Sequence, residues 1–325
     1  MKALVCNNFG DVNTLSYQEM PDPNAGSDDV LVQVRAAGVV FTDILLAEGK
    51  YQTKPALPFI LGTEISGDVV AVGSNVTRFK PGDRVMSLAM NFGAFAEKIA
   101  LPGWLPTRLP PNISYESGAA MMSSTATAQH ALRQRADMQV GETLVVTGAA
   151  GATGSGAIQV GKAIGARVIA VCSSDEKAAF AKSQGADETI NYTKEDLKKA
   201  IKERTGGRGA DVVFDTVGGD VFGACARAMA TNGRLLVVGF ASGNLPILPV
   251  NLTLVKVYSV IGVHWLTFVR QQPELHAKNM EELLVWVEQG IINPAIDSVV
   301  PLSEGVAALK RLSSRRAMGK VVIKP

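Results

Sequence analysis

The stretch TLVVTGAAGATGSGAIQVGKAIGA, residues 143–166, narrows the possible folds more than any other part of the chain. A β-branched apolar run gives way to glycines at 148, 151 and 154. A helical pattern then begins, with Ala157, Gly161 and Ile164 on one narrow apolar stripe. Strand, glycine turn and helix in that order open a βαβ unit. The glycines let the backbone turn sharply and approach an anionic group closely, and amide N–H groups and the positive end of the helix dipole would meet its charge. The alternative is a tight strand-to-helix turn with no ligand; the surrounding pattern favours the ligand.

That pattern repeats downstream. Strand-like runs at 143–148, 167–172, 188–191, 211–216, 234–239 and 257–262 alternate with helical segments, as expected of an open, doubly wound parallel sheet. Upstream, from Met1 to about Pro111, KALVC, VLVQVRAAGV, GDVVAVG, DRVMSL and AFAEKIALP are short strands separated by Gly, Pro, Asn and Asp, which predicts a β-rich, barrel-like domain. Beyond residue 265, Met280, Leu283, Leu284 and Val287 mark one helical face, and a second helix runs from about Ser303 through Leu312. The closing GKVVIKP is a strand whose most economical home is the N-terminal β domain, so the chain crosses between domains twice. The expected division is 1–120 with 265–325 as the β-type domain, and 121–264 as the nucleotide domain.

Composition removes several function classes. With 32 basic and 30 acidic residues, net charge is +2, and no global field recruits nucleic acid or an anionic membrane. The three cysteines, Cys6, Cys172 and Cys225, are too few and too scattered for a disulfide framework or a cysteine-rich zinc lobe. No apolar run reaches transmembrane length, and the N-terminus lacks a signal or transit pattern, so the expected compartment is the cytoplasm and the expected partner a small molecule.

The end of the second strand decides between nicotinamide cofactors. A carboxylate there would bond an NAD ribose 2′-OH, but the position holds Cys172, followed by SSDEK. Ser173 and Ser174 offer hydroxyl donors and Lys177 a positive charge, which suits a 2′-phosphate and favours NADPH. Asp175 has two readings: aimed inward it would repel that phosphate, whereas as the N-cap of a helix starting near Glu176 it would not. Tyr192, after the third strand, lies beside the adenine ribose or is simply a surface aromatic.

Together, VVFTDILLAEG, LGTEISGDVVAVGSNVTRFKPGDRV, AAGATG, SSDEK, INY, DTVGGDVF and VVGFASGN resemble the medium-chain dehydrogenase/reductase superfamily. Within it the sequence is most similar to the zinc-free quinone oxidoreductases of the zeta-crystallin type. The resemblance spans essentially the whole chain and implies an α/β fold: a Rossmann-type doubly wound parallel sheet with a GroES-like β-barrel-type substrate domain. Zinc-dependent members of that superfamily carry Cys and His where this chain has Val40, Phe41 and Thr63, and GAAMMSSTATAQ lacks the remaining thiol. The nitrogen and sulfur donors that catalytic zinc requires are gone, so no metal is expected. Alcohol oxidation, which needs a hydroxyl proton removed as hydride leaves, is then disfavoured, while conjugated carbonyls accept hydride at an already electrophilic centre.

The resemblance implies residue roles. Phe41, Asp43 and Tyr51 would border the nicotinamide and the substrate mouth, and Thr127 would touch the cofactor. Ala152 and Thr153 would present N–H groups to the pyrophosphate, next to Gly148, Gly151 and Gly154. Ser173, Ser174, Lys177 and Tyr192 would hold the adenosine phosphate end, with Arg316 reaching the 2′-phosphate. Val217, Gly239, Phe240 and Ala241 would pass along the ribose and nicotinamide, and Val263 and His264 would close the carboxamide side. Val40 stands where the family often has Asn, and Leu45 where Tyr is common.

Of the three histidines, His130 and His276 fall on helices and are read as structural or solvated; His264 follows the sixth strand, where ligands gather. Tyr51 is a proton donor, a stacking surface or a rim residue. The basic KRLSSRRAMGK has no interleaved aromatics and is read as a solvated face. The leading expectation is an NADPH-dependent quinone reductase, paired as a homodimer through the apolar segment 245–262. The alternatives are a reductase of enals, enones or enoyl thioesters, and an NADPH-binding structural or nucleic-acid-binding protein with little turnover.

Overall fold

The structure, a computed structural model, describes residues 1–325, which divide into two units: Met1–Ser123 with Ile296–Pro325, and Ser124–Ala295. The first unit begins with β1 (Lys2–Cys6), β2 (Ser16–Glu19) and β3 (Asp29–Gly38), then α1 (Phe41–Ala47), β4 (Phe59–Ile60) and β5 (Glu64–Val72). It continues through β6 (Arg84–Leu88), β7 (Lys98–Pro102), β8 (Thr107–Arg108) and α2 (Tyr115–Met121). Strand β1 lies between β2 and β4, and β3 pairs antiparallel with both β5 and β7. Val30, Val32 and Val34 of β3 are buried at two-residue spacing, the period of a half-covered antiparallel strand.

The second unit opens with α3 (Ser124–His130), β9 (Thr143–Thr147), α4 (Ala152–Ile164), β10 (Arg167–Cys172), α5 (Asp175–Ser183) and β11 (Glu188–Asn191). It continues with α6 (Leu197–Arg204), β12 (Ala210–Asp215), α7 (Gly219–Arg227), β13 (Met229–Val237), α8 (Asn251–Lys256), β14 (Ser259–Gly262), α9 (Trp265–Gln271) and α10 (Pro273–Glu288). Its six strands are all parallel, in the order β11-β10-β9-β12-β13-β14. The six strand runs expected from sequence correspond to these six strands, and the order reverses direction at β9, as doubly wound sheets do. All five residues of the central β9 are buried, which is why it reads as continuous apolar sequence instead of alternating; each such Leu or Val contributes about 1.5–3 kcal/mol.

The chain then completes the first unit with β15 (Ile296–Pro301), α11 (Gly305–Ser313) and β16 (Lys320–Lys324). Strand β16 lies between β15 and β3 in the sheet β15-β16-β3-β5-β6-β8, so the closing run takes the place expected for it.

One boundary is corrected. Residues 265–295, expected with the β-type domain, belong to the nucleotide unit. The reason is local: α9 and α10 cover α3 and the turn after it. Phe268 stacks on His130 at 4.0 Å, Gln129 Nε2 donates to Glu282 at 2.7 Å, and Asn279 exchanges hydrogen bonds with Gln134 at 3.1 and 3.2 Å. His276, also on α10, is buried against Trp265 and Phe268, and burial lowers its pKa to about 4, so it packs as a neutral ring.

Candidate functional site: the strand ends of the parallel sheet and a buried charge cluster

In the second unit the site is built outward from the tip of β9. Gly148 has φ +58°, and a Cβ there would lie 2.4 Å from Thr216 Oγ1, so only glycine fits. At Gly154 a Cβ would sit 2.3 Å from the Gly148 carbonyl oxygen and 2.8 Å from Ala149 Cα, both backbone; its absence lets α4 start hard against the turn. The N-cap of α4 is Gly151, which supplies no side-chain acceptor, and no acidic residue stands in the first turn. The amides of Ala152 and Thr153 thus head a helix with neither a cap nor a countercharge, the arrangement that accepts a phosphate anion.

A buried carboxylate holds this tip to the next strand. Asp215, at the end of β12, has no exposed surface; it accepts from Thr147 Oγ1 and from the N–H groups of Val217 and Gly218, each at 3.1 Å. Thr216 closes the knot, its N–H donating to Thr147 Oγ1 at 3.1 Å and its hydroxyl to the Thr147 carbonyl at 3.0 Å. Burial keeps the Asp215 carboxyl above the usual carboxylate range despite these donors. Sequence reasoning passed over Asp215 and Thr147. Their signal is a polar pair ending two neighbouring apolar strands.

At the end of β10 the N-cap of α5 is Ser174, whose hydroxyl oxygen accepts from the Lys177 N–H at 3.2 Å, while Lys177 Nζ donates to Ser173 Oγ at 3.3 Å. The expected cap, Asp175, is corrected by one position: it is the first helical residue, and it pairs instead with Asn191 and Lys194. Tyr192 follows β11 and is half-buried, its N–H donating to the Cys172 carbonyl at 3.1 Å.

The other expected cofactor contacts lie just beyond neighbouring strands. Val217 follows β12; Gly239, Phe240 and Ala241 follow β13; Val263 and His264 follow β14. His264 is exposed and its Nδ1 lies 2.6 Å from Thr267 Oγ1, and Phe240 also faces solvent. Thr127 is half-buried on α3, the helix packed along α4. Gly148 to Gly154, the residues after β10, and Tyr192 complete the set: apart from Thr127, every expected cofactor residue of this unit stands past the carboxyl end of one of its parallel strands, where open α/β sheets bind ligands.

In the first unit, three acidic or basic side chains are buried: Asp43, Glu64 and Lys320. Glu64 forms an ion pair with Lys320 through Oε1 and accepts from the Ser123 N–H through Oε2 at 2.7 Å. A Cβ at Gly38 would lie 2.2 Å from Glu64 Oε1. Removing one member of such a pair strands a charge in the core, at a cost of about 3–5 kcal/mol. The two residues are 256 apart in sequence, so the pair had no local signal. Asp43, expected to border the substrate mouth, is corrected: it has no exposed surface. Its Oδ2 accepts from the Val40 N–H at 2.8 Å, fixing the turn that presents Val40 and Phe41, and its Oδ1 has no partner. Burial raises its pKa to about 8. Phe41 is exposed and Tyr51, just past α1, is half-buried. Arg316 is exposed, with its Nε donating to Ser314 Oγ at 3.0 Å.

A Rossmann-type sheet with a glycine-turn phosphate cradle, accompanied by a β-rich unit, defines a nucleotide-dependent oxidoreductase class. Residues 26–111 match the alcohol dehydrogenase GroES-like domain and 152–284 the zinc-binding dehydrogenase family. The quinone oxidoreductase-like protein 2 homolog of Nematostella vectensis is 39% identical over 99% of this chain and 88% of its own length. Mouse prostaglandin reductase-3 is 38% identical over 73% of this chain and 61% of its own. The crystal structure of Escherichia coli quinone oxidoreductase complexed with NADPH superposes with a TM-score of 0.94 at 28% identity, covering 100% of both chains. The chain is an oxidoreductase of the medium-chain dehydrogenase/reductase superfamily and belongs to its quinone oxidoreductase-like branch.

Proposed function

We propose that the chain reduces quinones with NADPH by direct, zinc-independent hydride transfer. The observation that carries this is the row of strand ends in the second unit: an uncapped helix start for the pyrophosphate and, one strand over, Ser173, Ser174 and Lys177 for the 2′-phosphate. NADPH, when bound, supplies the hydride. The protein's part is to fix the phosphates, hold the strand-end loops in register through Asp215, and present an apolar surface to the acceptor. Phe41 and Tyr51 supply rings on which a flat acceptor stacks.

The donor chemistry of the first unit does not fit catalytic zinc. Val40 and Thr63 offer neither imidazole nor thiolate, Glu64 is committed to Lys320, and no three His, Cys, Asp or Glu side chains gather to hold a metal ion. A quinone requires no proton to be removed from it, and the hydroquinone anion left by hydride transfer takes its one remaining proton from water, so neither Lewis acid nor buried base is needed. A second acceptor class, the conjugated enones, is supported by the similarity to prostaglandin reductase-3. The three cysteines are buried and unpaired, which suits a reducing cytoplasm. No helix is long and apolar enough to cross a membrane.

The test is steady-state NADPH oxidation with a naphthoquinone and with an α,β-unsaturated ketone, each with and without a strong chelator. The expected result is a higher kcat/KM for the quinone, unchanged by chelation. Oxidation restricted to the enone would move the chain to the second acceptor class, and loss of turnover on chelation with recovery on added zinc would sink the metal-free mechanism.

A further inference from the structure

We propose that Lys194 determines cofactor choice by masking Asp175, a carboxylate directly beside Ser174, one of the residues assigned to the 2′-phosphate. The inference rests on that phosphate-site assignment. Asp175 is two residues from both Ser173 and Lys177 in sequence, and a bare carboxylate there would oppose a phosphate dianion and favour a ribose hydroxyl.

Both of its oxygens are occupied. Oδ1 accepts from Asn191 Nδ2 at 2.7 Å, and Oδ2 is ion-paired with Lys194 Nζ. Asn191 cannot turn its amide round, because its own oxygen accepts from the Thr193 N–H at 3.1 Å and from the Thr193 hydroxyl at 2.7 Å. Asn191 is buried, whereas Asp175 and Lys194 are largely exposed. An exposed ion pair of this kind adds little to folding stability. What it changes is local charge: Lys194 cancels the Asp175 carboxylate, so that this carboxylate does not oppose a phosphate at the strand end. The two hydrogen-bonding partners also hold the Asp175 carboxyl below its ordinary range, so it stays ionised and must be masked by a cation, since protonation does not neutralise it.

The test is calorimetric binding of NADP⁺ and NAD⁺ to the full chain and to three variants. Lys194→Met is expected to weaken NADP⁺ by roughly three- to tenfold and to change NAD⁺ by less than about twofold. Adding Asp175→Asn to Lys194→Met should return NADP⁺ affinity to within about twofold of the parent, because the charge to be masked is gone. Equal weakening of both cofactors, no weakening, or no recovery in the double variant would overturn the proposal. Lys177→Ala separates the two levels. If it weakens NADP⁺ selectively while Lys194→Met does not, only the masking role falls; if it leaves NADP⁺ binding unchanged, the phosphate-site assignment falls and the masking role with it.

Discussion

Asp43 is a carboxyl whose surroundings ask it to be neutral. It is fully buried, one oxygen caps the Val40 N–H, and the other has no partner, with the Glu64–Lys320 pair nearby. Its pKa rises from 3.8 unfolded to about 8 folded. The sign follows from linkage: the folded state binds the proton more tightly, so this contribution is full below about pH 4 and is lost as pH climbs through 8. Asp43→Asn keeps the neutral shape and removes the titration. In urea unfolding, the variant should match the parent below about pH 4 and become progressively more stable relative to it towards pH 8. Parallel stability profiles for the two proteins would show that Asp43 is ionised in the fold. Sequence could identify Asp43 by its motif neighbourhood, but neither its burial nor the role of Glu64, because Lys320 arrives from far along the chain.

The start of α4 was legible because three independent signals agree there: a buried strand, glycines at fixed spacing and a small-residue helix face. Its glycines do different jobs, and this can be measured. At Gly154 an added Cβ meets backbone atoms at 2.3 and 2.8 Å, so Gly154→Ala should lower stability by about 1–3 kcal/mol and weaken NADPH binding with it. At Gly151 the nearest atom is 3.5 Å away and φ is −75°, so Gly151→Ala should leave the melting temperature almost unchanged and weaken NADPH binding alone. If both variants melt like the parent, the helix is not seated on the turn as described. Elements α9 and α10 were less legible. Met280, Leu283 and Leu284 announce a covered face but not what covers it, and the answer, α3 with His130 and Gln129, lies about 150 residues upstream. The cap of α5 slipped by one because Ser174 and Asp175 are both good N-cap residues, and only the Asn191 and Lys194 side chains decide between them.

The sheet of the second unit ends at β14, whose outer edge has no strand beside it. The preceding loop and α8 expose Ile247 at 91% and Leu254 at 79%, with Leu245 and Val255 nearly as open. An uncovered apolar edge of this kind invites a second copy. Light scattering is expected to give a homodimer, and Val260→Lys on β14 a monomer of unchanged fold; a parent protein monomeric at micromolar concentration would rule the pairing out. Strand β16 has a different reach. Because β16 follows the nucleotide-binding unit yet pairs with β3 at Ala37 and Gly38, residues 1–123 leave the ribosome with that short stretch of β3 unpaired on one side. The nucleotide-binding unit, contiguous from 124 to 295, is finished first, and the unit begun before it keeps an open seam until β16 arrives to close it.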